Sequence, residues 1–351
     1  MLLKKINLIF FILILFFTNK SGAKKIILVN DDKEVVCFIY HRFGDSRYPT
    51  TNTSVKDFEK HLAYLQRNNF RILSFSDAIA YLKSDELSKK TAVITIDDGY
   101  RSFYLKGLPL LKKYKMASTL FINTQTVGGG DYMNWSELEI AMKNNVEIGN
   151  HTHSHAYFLN DKSTARYESF KSEIELSQSI IFKNLHVKPN VFSYPYGEFD
   201  EEMKTIVKEA GFIAAAAQKS GVVGAKTDFF QCPRFPMAEA YASEPKFIEK
   251  ACTRPLNVVA ESPTNSVMPA NKKPILTLTF DGTALQLDRL QCFVQGGDCI
   301  LNIVDKKKTT VTLMSSKPII KRRRTLYTIT VPDRTGAWHW YSHLWINTEV
   351  K

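Results

Sequence analysis

Two adjacent carboxylates follow directly behind an apolar strand pattern. Residues 91–96 are apolar or β-branched, and they lead into Asp97, Asp98 and Gly99. Because burying an unpaired carboxylate is strongly unfavourable, such a pair needs a cation, a proton or hydrogen bonds. For this motif taken alone, a helix cap followed by a turn is the commoner explanation. The pair becomes a candidate site when it is considered together with the other motifs of the chain.

A cluster of histidines follows another strand pattern, residues 146–149. Three of the eight histidines fall within five residues, as His151, His153 and His155. On a helix or tight turn, His151 and His155 share one face, whereas on a strand all three would align. Imidazoles beside a carboxylate fit zinc or a similar divalent metal. We therefore predict a metal site here, with a solvated polar loop as the alternative.

Three further features are weak when each is taken alone. His41 closes the first strand pattern, and a lone histidine is usually structural. Pro195, Tyr196 and Gly197 follow a short strand pattern, and a β-turn explains them fully. Arg234 lies in a Pro-Arg-Phe-Pro segment and could be a surface cation.

Strand and helix patterns alternate from residue 35 to about residue 250. The predicted strands are 35–40, 70–74, 91–97, 118–123, 146–149, 191–194 and 212–217. Helix patterns include 54–69, a helix capped at Asn134, and a long polar helix over 163–185. This alternation indicates a mainly parallel sheet or barrel of the α/β class.

The pattern changes near residue 255. Residues 255–273 are rich in Pro, Ser and Asn and are predicted to form a linker. Residues 274–351 then contain only strand patterns, at 275–280, 285–294, 299–304, 309–314, 325–331 and 338–347. They predict a small all-β sandwich. Asp281 in this part imitates the carboxylate motif, but it is a single acid and is predicted to enter a turn.

The N-terminus indicates export. Lys4 and Lys5 precede an apolar stretch at 6–17, and small residues follow at 21–23. This is the pattern of a secretory signal peptide, predicted here as 1–23. Its apolar stretch is shorter than the roughly 20 residues that span a bilayer, although an uncleaved anchor is the alternative. We expect a periplasmic or extracellular protein associated with the cell envelope, with peripheral or no membrane contact.

The net charge is +12, which favours contact with anionic polymers or membrane surfaces. No basic run is interleaved with aromatic residues, so we expect no nucleic-acid partner. The five cysteines fit export weakly. Cys292 and Cys299 flank a turn and are predicted to form a hairpin disulfide, and Cys232 and Cys252 could form a second one. Cys37 lies in a strand pattern and is predicted to be a buried free thiol.

The motifs together are more specific than any one of them. Asp-Asp-Gly, His-x-x-x-His and Pro-Tyr-Gly, in this order at three strand ends, resemble the polysaccharide deacetylases (NodB-homology domain, carbohydrate esterase family 4) over about 35–240. The resemblance implies a distorted (β/α) barrel in residues 24–254. It also implies removal of N-acetyl groups from a glucosamine polymer, poly-N-acetylglucosamine or peptidoglycan. His41 ahead of the acidic pair is similar to a circularly permuted branch containing exported deacetylases of β-1,6-linked poly-N-acetylglucosamine.

The resemblance also implies a role for each matching residue. Asp97 matches the general base and His41 the general acid, while Asp98, His151 and His155 match the ligands of a divalent metal, Zn²⁺ with Co²⁺ or Ni²⁺ as alternatives. The Tyr196 amide matches the oxyanion donor.

Two positions depart from the family pattern or add to it. The family's arginine two positions before Pro195 is Ser193 here, and Arg234 is our candidate substitute for it. Trp135, with Pro195 and Tyr196, is a candidate substrate-binding residue, although Trp135 could equally pack its helix.

Two other functions remain open from the sequence. A catalytically impaired barrel could act as a glycan-binding protein, and the loss of the usual arginine keeps that alternative open. A different zinc hydrolase, such as a protease or phosphoesterase, is less consistent with the sequence. It would need an H-E-x-x-H motif or a second cluster of Asp and His for another metal, and the sequence has neither.

Overall fold

A computed structural model of the chain describes residues 33–305, 307 and 309–350, which fall in one compact unit. The predicted signal peptide, 1–23, lies outside the described residues. Among the described residues, no helix is both long enough and apolar enough to cross a membrane.

The first part of the chain alternates strands and helices, as the sequence pattern predicts. Its elements in chain order are β1 (Glu34–Tyr40), β2 (Arg42–Phe43), β3 (Asn52–Thr53), α1 (Val55–Arg67), β4 (Arg71–Leu73), α2 (Phe75–Lys83), β5 (Thr91–Asp97), α3 (Leu108–Tyr114), β6 (Ser118–Ile122), α4 (Trp135–Met142), β7 (Val146–Asn150), α5 (Ala165–Leu185), β8 (Val191–Ser193), α6 (Glu201–Glu209), β9 (Ala214–Ala216), β10 (Val222–Gly224), β11 (Phe235–Pro236) and α7 (Glu244–Ala251).

Nine of these strands form one curled sheet within the described part of the chain. The order is β10-β1-β5-β6-β7-β8-β9, with β4 beside β5 and β11 beside β1. All pairs are parallel except β10 with β1. Every residue of β5 and β6 is buried, which explains their continuous apolar sequences. The expected distorted α/β barrel is confirmed, and we call residues 33–253 the barrel.

The strand register determines where the candidate residues meet. Asp97 pairs with Phe121, Phe121 pairs with Gly149, and Asn150 pairs with Phe192. The ends of β5, β7 and β8 therefore lie side by side at one edge of the sheet. β1 runs parallel to β5 and ends at the same edge, directly before His41.

The second part of the chain contains strands and no α-helix among its described residues. Its strands are β12 (Arg254–Pro255), β13 (Val258–Ser262), β14 (Ile275–Phe280), β15 (Gln291–Val294), β16 (Cys299–Asp305), β17 (Thr310–Ser315), β18 (Arg324–Pro332) and β19 (Trp338–Ile346). They form two four-stranded sheets, β12-β19-β18-β15 and β13-β14-β17-β16. Apolar side chains from both sheets share one core, including Leu276, Leu278, Ile329 and Trp345. We call this part the sandwich.

The sandwich begins earlier than the composition of the sequence suggests. Residues 255–273, expected as a linker, contain β13, which pairs with β14. Leu256 and Met268 from the same segment are buried in the sandwich core. The linker prediction is wrong here because the Pro, Ser and Asn residues that flank β13 dominate the composition of the segment and hide a short, largely exposed strand. Strand 285–294 is also shorter than expected, since a one-turn 3-10 helix, Leu287–Arg289, precedes β15.

The barrel and the sandwich share buried apolar contacts. Leu344 and Ile346 of β19 lie in the same buried cluster as Phe192 and Tyr194 of the barrel. The two parts are therefore packed against each other rather than tethered by a flexible segment.

The cysteine predictions are confirmed in two cases and wrong in one. Cys292 and Cys299 form a disulfide between β15 and β16. Cys37 is a buried free thiol, and its burial raises its pKa to about 12. Cys232 and Cys252 are unpaired, because one is buried in the barrel and the other lies on its surface.

Candidate active site

Three side chains converge at the shared strand edge in a geometry that fits one metal ion. Oδ1 of Asp98 lies 3.5 Å from Nε2 of His151 and 3.3 Å from Nε2 of His155. The two Nε2 atoms are 3.1 Å apart. A tetrahedral zinc ion with ligands at about 2.0–2.1 Å keeps them roughly 3.3 Å apart. The three residues together could therefore hold a divalent cation.

The electrostatics of this group favour a cation. Burial alone would raise the pKa of Asp98, but the hydrogen bond from His151 and the nearby histidines lower it. Burial likewise disfavours the charged form of His151, yet Asp98 and Asp97 raise its pKa. The carboxylates thus draw His151 toward a positive charge, whereas burial and the neighbouring His151 lower the pKa of His155 to about 4 and keep that ring neutral. A bound divalent ion would supply that charge without protonating either imidazole.

A hydrogen bond from Nδ1 of His151 fixes the orientation of its ring. Its Nδ1 lies 2.6 Å from the carbonyl oxygen of Ser193 and donates to it. In the neutral imidazole, this hydrogen bond leaves the lone pair of Nε2 free to bind a metal ion beside Asp98 and His155. A histidine held in this way is typical of metal ligands, whose second nitrogen is usually bonded to a carbonyl or carboxylate.

The loop that carries the histidines is anchored by α5. Oε2 of Glu173 accepts hydrogen bonds from the amides of His153 and Ser154, at 3.0 and 2.6 Å. Nδ1 of His153 lies 2.8 Å from the hydroxyl of Thr124, so this ring bonds to the loop instead. It is not part of the group of candidate metal ligands, Asp98, His151 and His155, which we call the metal group. The middle histidine therefore supports the loop, while the outer two face Asp98.

Backbone strain is concentrated at this site. Asp98, Thr152, His155 and Tyr196 have φ angles of 74°, 66°, 56° and 58°, all in the left-handed region. Such conformations cost of the order of 1–3 kcal/mol each for residues other than glycine, and they persist where surrounding contacts fix them. These left-handed conformations orient side chains and amides toward the site, where regular strand geometry would direct them elsewhere.

Asp97 is held by a buried arginine. Nη1 and Nη2 of Arg234 donate to Oδ1 and Oδ2 of Asp97, at 2.7 and 2.8 Å. The hydroxyl of Ser193 donates to Oδ2 at 3.1 Å, and Nη2 of Arg234 donates to that hydroxyl at 3.0 Å. Two parallel charged hydrogen bonds fix both position and orientation. The structure thus places Arg234 on Asp97, as the sequence analysis expects.

The same contacts keep Asp97 ionised. Burial would raise its pKa, but the charge of Arg234 and the neighbouring His151 lower it. Oδ2 of Asp97 lies 3.9 Å from Nε2 of His151, beside the metal group. Asp97 is therefore a carboxylate at neutral pH, and it can accept a proton from a molecule bound next to the metal ligands.

His41 lies near both acids. Burial lowers its pKa, and the charges of Asp98 and Asp97 act in the opposite direction. Its position after β1 places it at the same sheet edge as the metal group. A proton donor there would be on the side of the site that β1 contributes.

The Pro-Tyr-Gly segment forms a tight turn beside the metal group. Pro195 starts a one-turn 3-10 helix, and the Tyr196 ring centroid lies 4.3 Å from that of His155. Gly197 has φ 71°, and a Cβ atom there would lie 2.2 Å from Cβ of Gln218. Only glycine fits at this position, so the turn brings the Tyr196 backbone close to the histidines.

Comparisons with known proteins agree with this geometry. The family model for polysaccharide deacetylase matches residues 84–215. This match covers less than half of the chain, and it shows that residues 84–215 are similar to the polysaccharide deacetylase domain. The Bacillus subtilis protein YxkH, named as a polysaccharide deacetylase, is 28% identical over 167 residues, which are 47% of this chain and 58% of YxkH. That match spans less than two thirds of YxkH.

Two further similarities each cover more than half of the chain. A Staphylococcus aureus poly-β-1,6-N-acetyl-D-glucosamine N-deacetylase is 25% identical over 212 residues, which are 58% of this chain and 73% of that protein. The solved structure of the Streptococcus pyogenes deacetylase PplD in complex with acetate overlays with a TM-score of 0.57 at 18% identity. It covers 63% of this chain and 99% of that chain, and at this identity it supports the fold alone.

Trp135, the candidate substrate-binding residue, contributes to the packing of a helix. Trp135 starts α4 and packs, half-buried, against the barrel core. This is the helix-packing alternative, and we do not retain Trp135 as a wall of the substrate site.

The sequence analysis did not predict the contributions of three residues to the candidate site. Ser193 is a departure from the family pattern, yet its hydroxyl joins Asp97 to Arg234. Glu173 lies on a long polar helix, where nothing in the sequence distinguishes it from its neighbours. Tyr157 follows the histidines closely enough in sequence to have been considered, and its ring stacks on Tyr196 at 3.6 Å.

Proposed function

We propose that this protein is an exported, metal-dependent deacetylase that hydrolyses the N-acetyl groups of a glucosamine-containing polysaccharide. The observation that carries the proposal is the metal-binding geometry of Asp98, His151 and His155 beside Asp97, a buried carboxylate held ionised by Arg234. A base next to a cation site is the arrangement that hydrolysis of an unactivated amide requires.

Asp98, His151 and His155 would hold the ion, and their two imidazoles and one carboxylate favour Zn²⁺, with Co²⁺ or Ni²⁺ as alternatives. When bound, the ion supplies Lewis acidity, which polarises the acetyl carbonyl and makes water a stronger acid. The identity of the ion affects the reaction rate and how tightly the ion binds, but not which residues of the chain take part.

The residues of the chain divide the remaining chemistry among them. Asp97 takes a proton from the attacking water at a carboxylate oxygen, and the hydroxyl oxygen forms the new bond to the amide carbon. The Tyr196 amide donates to the oxyanion that develops on the acetyl oxygen. His41, when protonated, gives its proton to the nitrogen as the C–N bond breaks. The products are acetate and a free amine on the sugar.

The preferred substrate in this proposal is poly-β-1,6-N-acetylglucosamine. The Staphylococcus aureus relatives are named for that activity, and they match this chain over 212 residues. The position of His41 ahead of the acids supports the same choice, because it resembles the permuted branch. Peptidoglycan is the alternative polymer.

Export is part of the proposal. The sequence pattern of residues 1–23 supports it, as does the Cys292–Cys299 disulfide, since disulfides persist in oxidising compartments. Mass spectrometry of protein recovered from the periplasm or medium should find an N-terminus near Lys24. Recovery of the uncleaved chain in the cytoplasm alone would contradict this part.

The test of function is acetate release from a panel of acetylated polymers. Purified protein should release acetate from poly-β-1,6-N-acetylglucosamine faster than from peptidoglycan, and Asp97→Asn protein should release none above background. Release from peptidoglycan only would transfer the proposal to that polymer. Glycan binding without acetate release from any polymer would instead indicate a binding protein.

A further inference from the structure

The turn that carries the candidate oxyanion donor is in contact with the sandwich. Tyr196 has φ 58° and ψ 5°, a left-handed conformation that a tyrosine adopts only when its surroundings fix it. We call residues 194–198 the catalytic turn. Tyr194 at its start is tied to the barrel, through its amide to Ala216 and its hydroxyl to Phe230. The other backbone hydrogen bonds of the turn are short-range, from the Gly197 amide to the Tyr194 carbonyl oxygen and from the Glu198 amide to the Pro195 carbonyl oxygen.

Arg324 of β18 binds the strained residue directly. Its Nη1 donates to the carbonyl oxygen of Tyr196 at 2.8 Å and to Oε1 of Gln218 at 3.2 Å. Gln218 is the residue against which Gly197 packs. The Arg324 guanidinium therefore binds both Tyr196 and Gln218, which lie on the two sides of the close contact at Gly197.

Arg323, the preceding residue, holds the end of the same turn. Its Nε and Nη2 donate to Oε1 and Oε2 of Glu198 at 2.8 and 2.7 Å, and both side chains are buried. Its Nη1 donates to Oδ1 of Asn160 and to the carbonyl oxygen of Val350, each at 2.7 Å. Because a buried fork of this kind fixes both partners, Glu198 has little freedom to move.

Arg323 also packs against a row of aromatic rings that extends to His155, a candidate metal ligand. Its guanidinium lies 4.5 Å from the centroid of the Tyr157 ring. Tyr157 stacks on Tyr196 with centroids 3.6 Å apart and planes 5° apart, and Tyr196 lies 4.3 Å from His155. A cation over an aromatic face is attractive. The sandwich thus binds the Tyr196 backbone and the Glu198 carboxylate of the turn directly, and it supports the Tyr196 ring through Tyr157.

We propose that Arg323 and Arg324 are positioning residues, through which the sandwich holds the catalytic turn in its active conformation. The inference rests on the proposed function, because it assigns a catalytic consequence to the Tyr196 amide. It gives the sandwich a role in the reaction itself, in addition to any role in binding polymer.

A general structural role alone would not need contacts at this place. The barrel and sandwich already share the apolar cluster of Leu344 and Ile346 with Phe192. A second ion pair, Arg254 with Glu34 at 3.2 Å, joins them at the start of β1, the end opposite to His41. Among these contacts of the described residues, the apolar cluster reaches the turn at Tyr194, whereas Arg323 and Arg324 bind Glu198 and Tyr196 themselves.

The experiment compares Arg324→Met with Arg254→Met. Both arginines are partly exposed, with side-chain exposures of 38% and 24%, and each contacts the barrel, so both variants should fold. We expect Arg324→Met to lower kcat about tenfold with KM within twofold, and Arg324→Lys to recover much of that loss because it keeps one donor. Arg254→Met should keep kcat within twofold. Arg323→Lys, which loses the fork, should lower kcat as Arg324→Met does.

Amide hydrogen exchange of the metal-free proteins gives a readout independent of activity. The amides of Gly197 and Glu198 should exchange several-fold faster in Arg324→Met and Arg323→Lys than in wild type, and at the wild-type rate in Arg254→Met. Unchanged kcat in the Arg324 and Arg323 variants, or an equal loss in Arg254→Met, would overturn the inference. If wild-type protein releases no acetate at all, the proposed function fails first, and the exchange result then decides only whether the two arginines hold the turn.

Discussion

At the residue scale, the proposed reaction depends on one buried carboxylate, that of Asp97, which must stay ionised and correctly oriented. Asp97 receives two hydrogen bonds from Arg234 and one from Ser193, so both of its oxygens are oriented. Asp98, its neighbour in sequence, turns to the histidines through a left-handed backbone. Two adjacent acids therefore have different environments and different expected roles.

Asp97→Asn separates those roles. The amide cannot accept the proton of water, so we expect kcat to fall by about 10²–10⁴, the usual contribution of general-base assistance. Metal content, measured by plasma mass spectrometry, should stay at the wild-type level because Asp98, His151 and His155 remain. His151→Ala is the matched variant and should lose the metal. Loss of metal in Asp97→Asn would show that Asp97 is itself a ligand.

Arg234→Lys tests how Asp97 is held. Lysine keeps the charge but cannot form the planar fork, so Asp97 loses a charged hydrogen bond that stabilises its ionised form. We expect kcat to fall at least tenfold. Since Arg234 lowers the pKa of Asp97, weakening the contact raises that pKa, and the acid limb of the kcat/KM profile should move to higher pH.

A pH profile at wild-type position and height in Arg234→Lys would contradict the assignment of Asp97 as the base. Arg71→Lys is the control, because the Arg71–Glu86 pair is partly exposed and lies at the start of β4, far along the sheet from the site.

The sequence predicts much at this scale. The types and order of Asp97, Asp98, His151 and His155 along the chain were sufficient to predict that they share a site. Ser193 was misread as a loss, because the contact that gives it meaning comes from Arg234, 41 residues away in sequence. Contacts of that kind depend on the fold and carry no local pattern.

At the element scale, a buried histidine joins α1 to the sheet and to α7. Nε2 of His61 donates to the carbonyl oxygen of Ala242 at 2.8 Å, and Nδ1 accepts from the hydroxyl of Tyr40 at 3.0 Å. The ring stacks on Phe247 at 4.0 Å. The sequence pattern predicts this helix but not that His61 is buried in it, since a polar residue type gives no sign of burial.

His61 should make the barrel sensitive to acid. Burial lowers its pKa to about 4 from 6.5, so the folded state resists a proton that the unfolded state accepts. Stability is then lost as the pH falls below 6.5, and the loss is complete near pH 4. At pH 5 it amounts to about 2 kcal/mol of unfolding free energy.

Urea unfolding of wild type and His61→Gln at pH 7 and pH 5 checks this. Glutamine can keep both hydrogen bonds but does not titrate, so wild type should lose about 2 kcal/mol more than the variant between the two pH values. Equal losses in both proteins would mean that His61 is not responsible.

At the scale of the whole molecule, the barrel and sandwich form one packed unit. Composition placed the boundary too late, because residues 255–273 look like a linker while β13 pairs in the sandwich. The alternation of strands and helices did predict the barrel, since it repeats over many elements. The contacts of Arg323 and Arg324 with the catalytic turn had no signal in the sequence.

The disulfide should stabilise the sandwich without affecting chemistry. Cys292 and Cys299 are separated by seven positions and close a short loop. For a loop of that size, replacing both with serine should lower the unfolding free energy of the sandwich by about 2–3 kcal/mol. The kcat of the folded variant should stay within twofold of wild type, because a folded sandwich still presents Arg323 and Arg324 to the catalytic turn. A large fall in kcat at full folding would place the hairpin in the substrate path.

The central claim is that one divalent ion and one ionised carboxylate act together on an N-acetyl group. The most direct measurement strips the metal from the purified protein, adds it back in steps, and records acetate release from poly-β-1,6-N-acetylglucosamine at each step. The account predicts no release from stripped protein and full recovery at one ion per chain, with His151→Ala protein failing to recover. Acetate release that survives complete stripping, or that needs two ions per chain, would contradict it.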